Sequence, residues 1–146
     1  MNYFTYERLL AVHEKVLVVS GGLSGVKDEG LLRGPVEFIK DDHYYPTFAE
    51  KLTHLVYSLV KNHGFNDGNK RTALAAGGLL LILNGFDDFI GYYFLMFEQV
   101  MVLVADNRLT KQQLGMLMKD MIDFGELSES SKVMIVDALP DNLRTE

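Results

Sequence analysis

Hydrophobic side chains recur every three or four positions along most of this chain, which is the period of an α-helix. A first helix is predicted over residues 6–19, with Thr5 as its N-cap and a glycine pair at its end. His13 lies on the apolar face of this helix, where a structural histidine is more common than a ligand. A glycine-rich loop follows over residues 21–30.

The next segment is less regular. Asp28 can cap a short helix, and Pro35 either limits that helix or starts the following element. Residues 36–40 fit a helix or a short strand. Residues 41–46 have the composition of an exposed turn.

Longer helical patterns make up most of the remaining chain. They predict helices over residues 47–62, 69–83, 93–105 and 111–124. The helix over 69–83 is apolar nearly all round and rich in small residues, so it belongs at the centre of the domain. His54 falls outside the apolar stripe of its helix and is expected to be solvated.

These elements predict an all-α fold with one domain, residues 1–125, built around the central apolar helix. Residues 126–146 form a C-terminal tail. Within it, residues 133–139 can pack on the domain, and the last six residues are expected to fray.

Composition narrows the functional classes. The 146 residues include no cysteine, which excludes disulfides, thiolate metal sites and a cysteine nucleophile, and suits the reducing cytosol. No signal-peptide pattern begins the chain, and the longest uncharged apolar-rich run, residues 73–83, is too short to span a bilayer. We therefore expect a cytoplasmic protein without a membrane partner.

The formal net charge of -6 opposes direct binding to nucleic acid, because the overall field repels phosphate. Any phosphate chemistry must therefore depend on a local cluster of cations. Lys70 and Arg71, adjacent in sequence, are that cluster.

A polar turn precedes the central helix and carries several candidate catalytic groups. Gly68 and Asn69 lie where free N–H groups and the positive end of the helix dipole bind anions, and Lys70 and Arg71 add full charges. Asp67 is an oxygen ligand suited to Mg²⁺ held jointly by protein and phosphates.

His63, a few residues earlier, can accept a proton from an attacking hydroxyl near neutral pH. A base, a metal ligand and an anion site within nine residues favour phosphoryl or nucleotidyl transfer. Phe65 is the apolar anchor of the turn. The same residues would also suit an ordinary turn followed by a solvated helix start. A Walker-type loop is excluded, because Gly64 and Gly68 are one residue too close and no strand precedes them.

The signature loop of the Fic/Doc family is similar to residues 63–71, HGFNDGNKR, and Lys70 resembles the Doc (death-on-curing) branch. Residues 21–25 and 28–32 resemble the glycine loop and following helix of Doc-like chains. The resemblance covers about residues 5–124 and implies a compact helical bundle.

The resemblance also implies a role for each residue of the loop. His63 would be the catalytic base, Asp67 would hold Mg²⁺, and Phe65 would anchor the loop in the core. The phosphates of ATP would be bound by Gly68, Asn69, Lys70 and Arg71. Gly68 stands where the Doc pattern has alanine, a change expected to matter little.

Two departures from the family's adenylyl-transferring enzymes favour the Doc branch. Those enzymes have glycine at the position of Lys70 and a second arginine at the position of Leu74. The implied activity is that of a toxin kinase, which passes the γ-phosphate of ATP to a threonine of translation elongation factor Tu. Residues 21–40 would form part of the edge where the target docks. Transfer of AMP to another protein hydroxyl, or a non-catalytic nucleotide- or phosphate-binding module, remain the alternatives.

Self-restrained Fic proteins carry the inhibitory pattern [ST]-x-x-x-E-[GN]. No serine or threonine of this chain has a glutamate four places later. The resemblance therefore implies restraint by a separate antitoxin that binds an apolar groove as an ordered peptide.

Overall fold

Side-chain caps fix where most of the helices begin. In the computed structural model, which describes residues 1–143, five helices start at a Ser, Thr or Asp whose side chain accepts a backbone N–H of the first turn. The cap of the sixth helix is a full capping box between Thr110 and Gln113. Within residues 1–143 the seven α-helices are α1 Tyr6–Ser20, α2 Glu29–Phe38, α3 Phe48–Lys61, α4 Asn69–Leu83, α5 Ile90–Ala105, α6 Lys111–Phe124 and α7 Glu129–Ala138.

The all-α prediction is confirmed. Within residues 1–143 there is no strand, and the only β-type pairing is an isolated bridge between Val26 and Phe65. The predicted bounds of α4 and α6 coincide with those of the structure. α5 begins earlier than predicted, because a 3₁₀ turn over Asp87–Phe89 leads directly into it.

The central helix α4 packs against α1, α3 and α5. Its small residues allow this, since a Cβ at Gly77 would lie 2.3 Å from the Tyr93 hydroxyl oxygen and 2.8 Å from a methyl group of Val56. The Tyr93 hydroxyl, buried in the core, donates a hydrogen bond of 2.8 Å to the Leu74 carbonyl. The absence of a side chain at Gly77 therefore lets α5 dock closely on α4.

Residues 36–40, which fit either a helix or a strand from sequence, begin by continuing α2, which ends at Phe38. Pro35 lies inside this helix and removes the N–H that would bond to the Leu31 carbonyl. The side-chain amide of Asn62 lies 3.5 Å from that carbonyl. The proline is tolerated because it leaves an acceptor facing a neighbouring donor.

The expectation that His54 is solvated is wrong. Its ring is partly buried and stacks on Tyr45 with centroids 4.4 Å apart. Its Nδ1 accepts a hydrogen bond of 2.8 Å from Lys111 Nζ and lies 3.1 Å from the Tyr45 hydroxyl oxygen. Burial, and then the nearby Lys111 charge, lower the pKa of His54 to about 4. The side chains that cover His54 come from α6 and from the loop before α3. The hydrophobic periodicity of α3 alone does not show such contacts.

The start of the C-terminal tail packs on the helices before it. Leu127 is buried, and its N–H donates a hydrogen bond of 2.8 Å to the Tyr92 hydroxyl. The Ser128 N–H donates one of 2.6 Å to an Asp120 carboxylate oxygen. The predicted fraying at the chain end falls partly on residues 144–146, which lie outside the described residues.

Asp87–Ala105 forms a 19-residue helical stretch that is apolar enough to cross a bilayer by length and composition. One such stretch is weak evidence for a membrane span, because the core helix of a soluble protein passes the same test.

We expect Gly77→Ala to destabilise the fold by about 1–3 kcal/mol, because the added methyl group overlaps Tyr93 and Val56. Gly91→Ala is the matched control: it is also helical, but an added Cβ meets nothing within 4 Å. Gly91→Ala should stabilise by about 0.5–1 kcal/mol through lower backbone entropy. Urea unfolding of both variants measures the difference, and equal effects would contradict the close α4–α5 contact.

Candidate active site

The structure gathers the predicted site residues around one cavity of about 310 Å³ at the start of α4. The cavity is lined by His63, Asn66, Asp67, Gly68, Asn69, Lys70, Arg71 and Ala105. Ala105, at the end of α5, is the one lining residue outside the predicted loop.

The first turn of α4 has the features of an anion-binding site. Its N-cap, Gly68, has no side chain to accept a hydrogen bond, and the first turn contains no acidic residue. Thr72 N–H makes the first helical bond, to the Gly68 carbonyl at 2.9 Å. The N–H groups of Asn69, Lys70 and Arg71 precede that bond and have no acceptor within the helix, at the positive end of its dipole.

Gly68 itself has a left-handed backbone, with φ of 75°. An alanine there would carry a strain of about 1 kcal/mol, and its Cβ would lie 3.3 Å from a Leu17 methyl group. The departure from alanine at this position, which is expected to matter little, therefore corresponds to a conformational strain of about 1 kcal/mol that glycine avoids. Glycine favours this turn because it adopts a positive φ without strain.

A buried ring pair supports the loop from below. His13 and Phe65 are each 2% exposed and stack with ring centroids 3.7 Å apart and planes inclined by 6°. His13 Nε2 donates a hydrogen bond of 2.8 Å to the Asp67 carbonyl. The predictions of a structural His13 and an anchoring Phe65 are confirmed, and the contact between the two residues was not predicted.

The Asn69 side chain closes the turn from the other direction. Its Oδ1 accepts the Phe65 N–H and its Nδ2 donates to the Phe65 carbonyl, both at 3.0 Å. The amide thus satisfies the backbone of the anchoring residue, as a short strand partner would. Because its side chain is engaged with Phe65, the group that Asn69 offers to an anion at the helix start is its backbone N–H.

The glycine loop before α2 holds the outer side of the turn. Lys27 and Asp28 donate backbone hydrogen bonds of 2.8 and 3.0 Å to the Gly64 carbonyl. The Asn66 N–H donates to the Gly25 carbonyl at 3.1 Å. These bonds flank the Val26–Phe65 bridge, so the loop pairs with the turn as a minimal two-stranded contact.

Two glycines make this approach possible. A Cβ at Gly22 would lie 2.8 Å from Asp67 Oδ2, and one at Gly25 would lie 2.7 Å from Asn66 Nδ2. Both have positive φ, at 124° and 108°. The sequence marked this segment as a loop, but only the structure shows which residues it supports.

Asp67 is an ionised carboxylate held in position by backbone donors. Leu23 N–H donates to Oδ2 at 3.2 Å and Gly68 N–H donates to Oδ1 at 2.8 Å. These bonds, the Leu23 bond first, lower the pKa of Asp67 below its usual value. Each oxygen keeps a further lone pair that can bind a cation.

The donor set fits a shared metal ion and not a closed cage. No cluster of three or more histidine or acidic residues within residues 1–143 could hold a metal alone. Mg²⁺ is commonly bound by one or two carboxylates, with phosphates and water completing its coordination. A single ionised Asp67 beside an anion site has that character.

His63, Lys70 and Arg71 supply the exposed groups of the cavity. His63 has a left-handed φ of 51°, unusual for a non-glycine residue and typical of functional turns. Arg71 Nη1 donates a hydrogen bond of 2.9 Å to Ser20 Oγ at the end of α1. The cavity thus offers an imidazole, two cations and one carboxylate around a set of free N–H groups.

Known proteins carry the same sequence features. A model of the Fic/DOC family matches residues 3–81, more than half of the chain, and spans both the glycine loop and the turn. The chain belongs to the Fic/Doc family. Within the family it is similar to Toxin Doc of Mycolicibacterium smegmatis, with 40% identity over 72 residues, 47% of this chain and 55% of that protein. The chain thus spans about half the length of that relative.

Protein kinase doc of Escherichia phage P1 is a second Fic/Doc relative. It is 33% identical over 93 residues, which cover 61% of this chain and 73% of that protein. The two curated names agree with the Doc branch that Lys70 indicated from the sequence.

We expect His13→Phe to keep a ring on Phe65 but to leave the Asp67 carbonyl without its donor. The loss should be about 1–2 kcal/mol of unfolding free energy, measured by urea titration. His43→Phe is the control, because His43 is exposed in the loop before α3 and should change stability little. Unchanged stability in His13→Phe would contradict a structural role for the hydrogen bond.

Proposed function

We propose that this chain is a Doc-like toxin that transfers the γ-phosphate of ATP to a threonine hydroxyl of elongation factor Tu. It would act in the cytoplasm, where that target lies. The observation that carries the proposal is the cavity at the start of α4, where His63 and Asp67 share one wall with the free N–H groups and the two cations. The name of the phage relative, a protein kinase, supports phosphate as the transferred group.

Lys70 and Leu74 favour phosphate transfer over AMP transfer. Lys70 is exposed beside the anion site, so it adds a charge next to the bound triphosphate. Leu74 is partly buried and packs against the core, and its carbonyl accepts the Tyr93 hydroxyl. The site therefore has no second arginine at this position to clamp the triphosphate as in the adenylyl-transferring enzymes.

His63 acts in this proposal as the general base. It accepts the threonine proton while the hydroxyl oxygen forms a bond to the γ-phosphorus. The bond from that phosphorus to the bridging oxygen breaks, and ADP leaves. Lys70, Arg71 and the N–H groups of the first turn of α4 hold the phosphates and stabilise the charge that develops on them.

Asp67 is the residue that would hold Mg²⁺. The ion would partly neutralise the phosphate charge when it binds with the nucleotide. The supporting layer of His13 and Phe65 keeps Asp67 at the cavity wall, and the Leu23 N–H lowers the pKa of the Asp67 carboxyl group. The glycine loop lies beside the Asp67 carboxylate, so a target docked along residues 21–40 would reach the same cavity.

The identity of the transferred group is tested by incubating the protein with ATP, Mg²⁺ and elongation factor Tu, followed by intact-mass spectrometry. A gain of one phosphate supports the proposal. A gain of AMP identifies the adenylyltransferase alternative. No gain on any translation factor favours a non-catalytic nucleotide-binding module.

We expect His63→Ala to lower the transfer rate by about a hundredfold or more, because the base is removed. Its unfolding free energy should stay near that of the wild type, since His63 is exposed. His43→Ala, at an exposed histidine far from the cavity, should retain the wild-type rate. Full transfer by His63→Ala would refute its role as base.

We also propose a separate antitoxin, which binds the groove between α1 and α4. This groove has a volume of about 470 Å³ and is mostly lined by apolar side chains, among them Val16, Val19, Ile82 and Phe94. Arg71 and Ser20 lie on its wall, so the groove adjoins the candidate active site. An amphipathic helix would cover its apolar side chains and approach Arg71 at the same time.

Val19→Asp should weaken antitoxin binding by about tenfold or more, because it places a charge in the apolar groove. Val19 is 89% exposed, so the substitution should leave the fold intact. Val133→Asp on α7, at 56% exposure, is the control. Calorimetric titration with the proposed antitoxin measures the effect, and equal affinities in both variants would place the antitoxin elsewhere.

A further inference from the structure

A second cavity, larger than the one at the signature loop, lies between α3, α6 and the loop that joins α2 to α3. Its volume is about 640 Å³, within the range of small-molecule sites. Its wall includes Tyr44, Tyr45, Thr53, Lys111, Gly115 and Met116. None of its lining residues borders the candidate active site. It lies along the first half of α3, whereas the signature loop follows the end of that helix.

The wall is mostly carbon, with a cation set into it. Two tyrosine rings and the Met116 side chain supply apolar surface, and Gly115 leaves part of α6 without a side chain. A Cβ at Gly115 would touch only Thr53, at 3.7 Å. Such a slot suits a flat apolar body.

The charged side chains that line this cavity are Glu50, Lys111 and Lys119. Glu50 is exposed and forms no ion pair with Lys111, which has no anionic partner in the described chain. Its Nζ lies 2.8 Å from His54 Nδ1, and 5.8 and 5.9 Å from the ring centres of Tyr45 and Tyr57. No carboxylate within residues 1–143 forms an ion pair with it. Its neighbours are therefore a neutral imidazole and two aromatic rings.

Three features of the fold disfavour an unpaired charge at this position. Lys111 is partly buried, and this burial lowers its pKa. It is the first residue of α6, at the positive end of the helix dipole. His54 cannot serve as a counter-ion, since an imidazole is never anionic at neutral pH and the pKa of His54, lowered to about 4, leaves the ring neutral near pH 7.

Other lysines in the described chain show the contrast. Lys119, on the rim of the same cavity, pairs with Asp123 at 2.5 Å. The buried Lys51 pairs with Asp42 at 2.7 Å. Lys111 is set in an apolar cavity and lacks such a partner, so an anion entering the cavity would supply the missing charge.

We propose that the cavity between α3 and α6 is a binding site for a small organic anion with a flat apolar body. The acidic group pairs with Lys111, and the apolar body lies against Tyr45 and Met116. The charge complementarity at Lys111 and the apolar wall together define this ligand class. The proposal is independent of the transfer reaction at the signature loop.

The probe for this site is 1-anilinonaphthalene-8-sulfonate, an aromatic anion whose emission rises in apolar surroundings. Its neutral counterpart, N-phenyl-1-naphthylamine, has the same aromatic body without the sulfonate. The chain contains no tryptophan, so the protein itself contributes little emission. Fluorescence titration of the folded protein gives the affinity of each probe.

We expect Lys111→Met to weaken sulfonate binding by about tenfold, because the charge pair is lost. The affinity of the neutral probe should stay within about twofold. Lys132→Met, at an exposed lysine of α7, is the matched control and should change neither affinity. Gly115→Leu should reduce binding of both probes, since its side chain enters the slot.

Unchanged sulfonate affinity in Lys111→Met would overturn the proposal, and so would an equal loss of both probes in that variant. A chemical-shift map of the wild-type protein provides a check that requires no substitution. Sulfonate-induced shifts centred on His54, Lys111 and Gly115 support the site. Shifts centred on the α1–α4 groove would refute it.

Discussion

The position of the signature loop depends on one contact, the stack of His13 on Phe65 with the hydrogen bond from His13 to the Asp67 carbonyl. This contact joins α1 to the turn before α4. Without it, the turn would have no side-chain support from the core. Because both rings are buried, the loop cannot move relative to the core without disrupting the core packing. The start of α4 stays uncapped and accessible only because the turn beneath it is fixed.

Hydrogen bonds to the backbone also hold the signature loop in place. The glycine loop and the Asn69 amide bond the Gly64 carbonyl, both backbone polar groups of Phe65 and the Asn66 N–H, which a turn between two helices would leave to water. The glycine loop can approach the turn this closely only without side chains at two positions, since a methyl group on Gly22 or Gly25 would collide with the turn. The site is thus stabilised by main-chain contacts with a segment far away in sequence as well as by the buried side-chain stack.

The sequence predicted what repeats locally and missed what depends on contacts between distant segments. The bounds of α4 and α6 followed from apolar period and caps, and the signature loop followed from its residue types. The predicted exposure of His54 was wrong because its neighbours come from another helix and a loop. The φ of Gly68 was equally out of reach, because an Asp-Gly-Asn turn permits several backbone conformations.

Arg71 lies between two cavities, since it lines the candidate active site and also the groove between α1 and α4. Its guanidinium can satisfy only a limited number of acceptors at one time. If phosphate binds Arg71 as proposed, a carboxylate that engages Arg71 from the groove would therefore reduce the affinity for phosphate. Phosphate would reduce the affinity for that carboxylate by the same factor, because binding free energies at coupled sites are reciprocal. One side chain would make the two cavities thermodynamically dependent on each other.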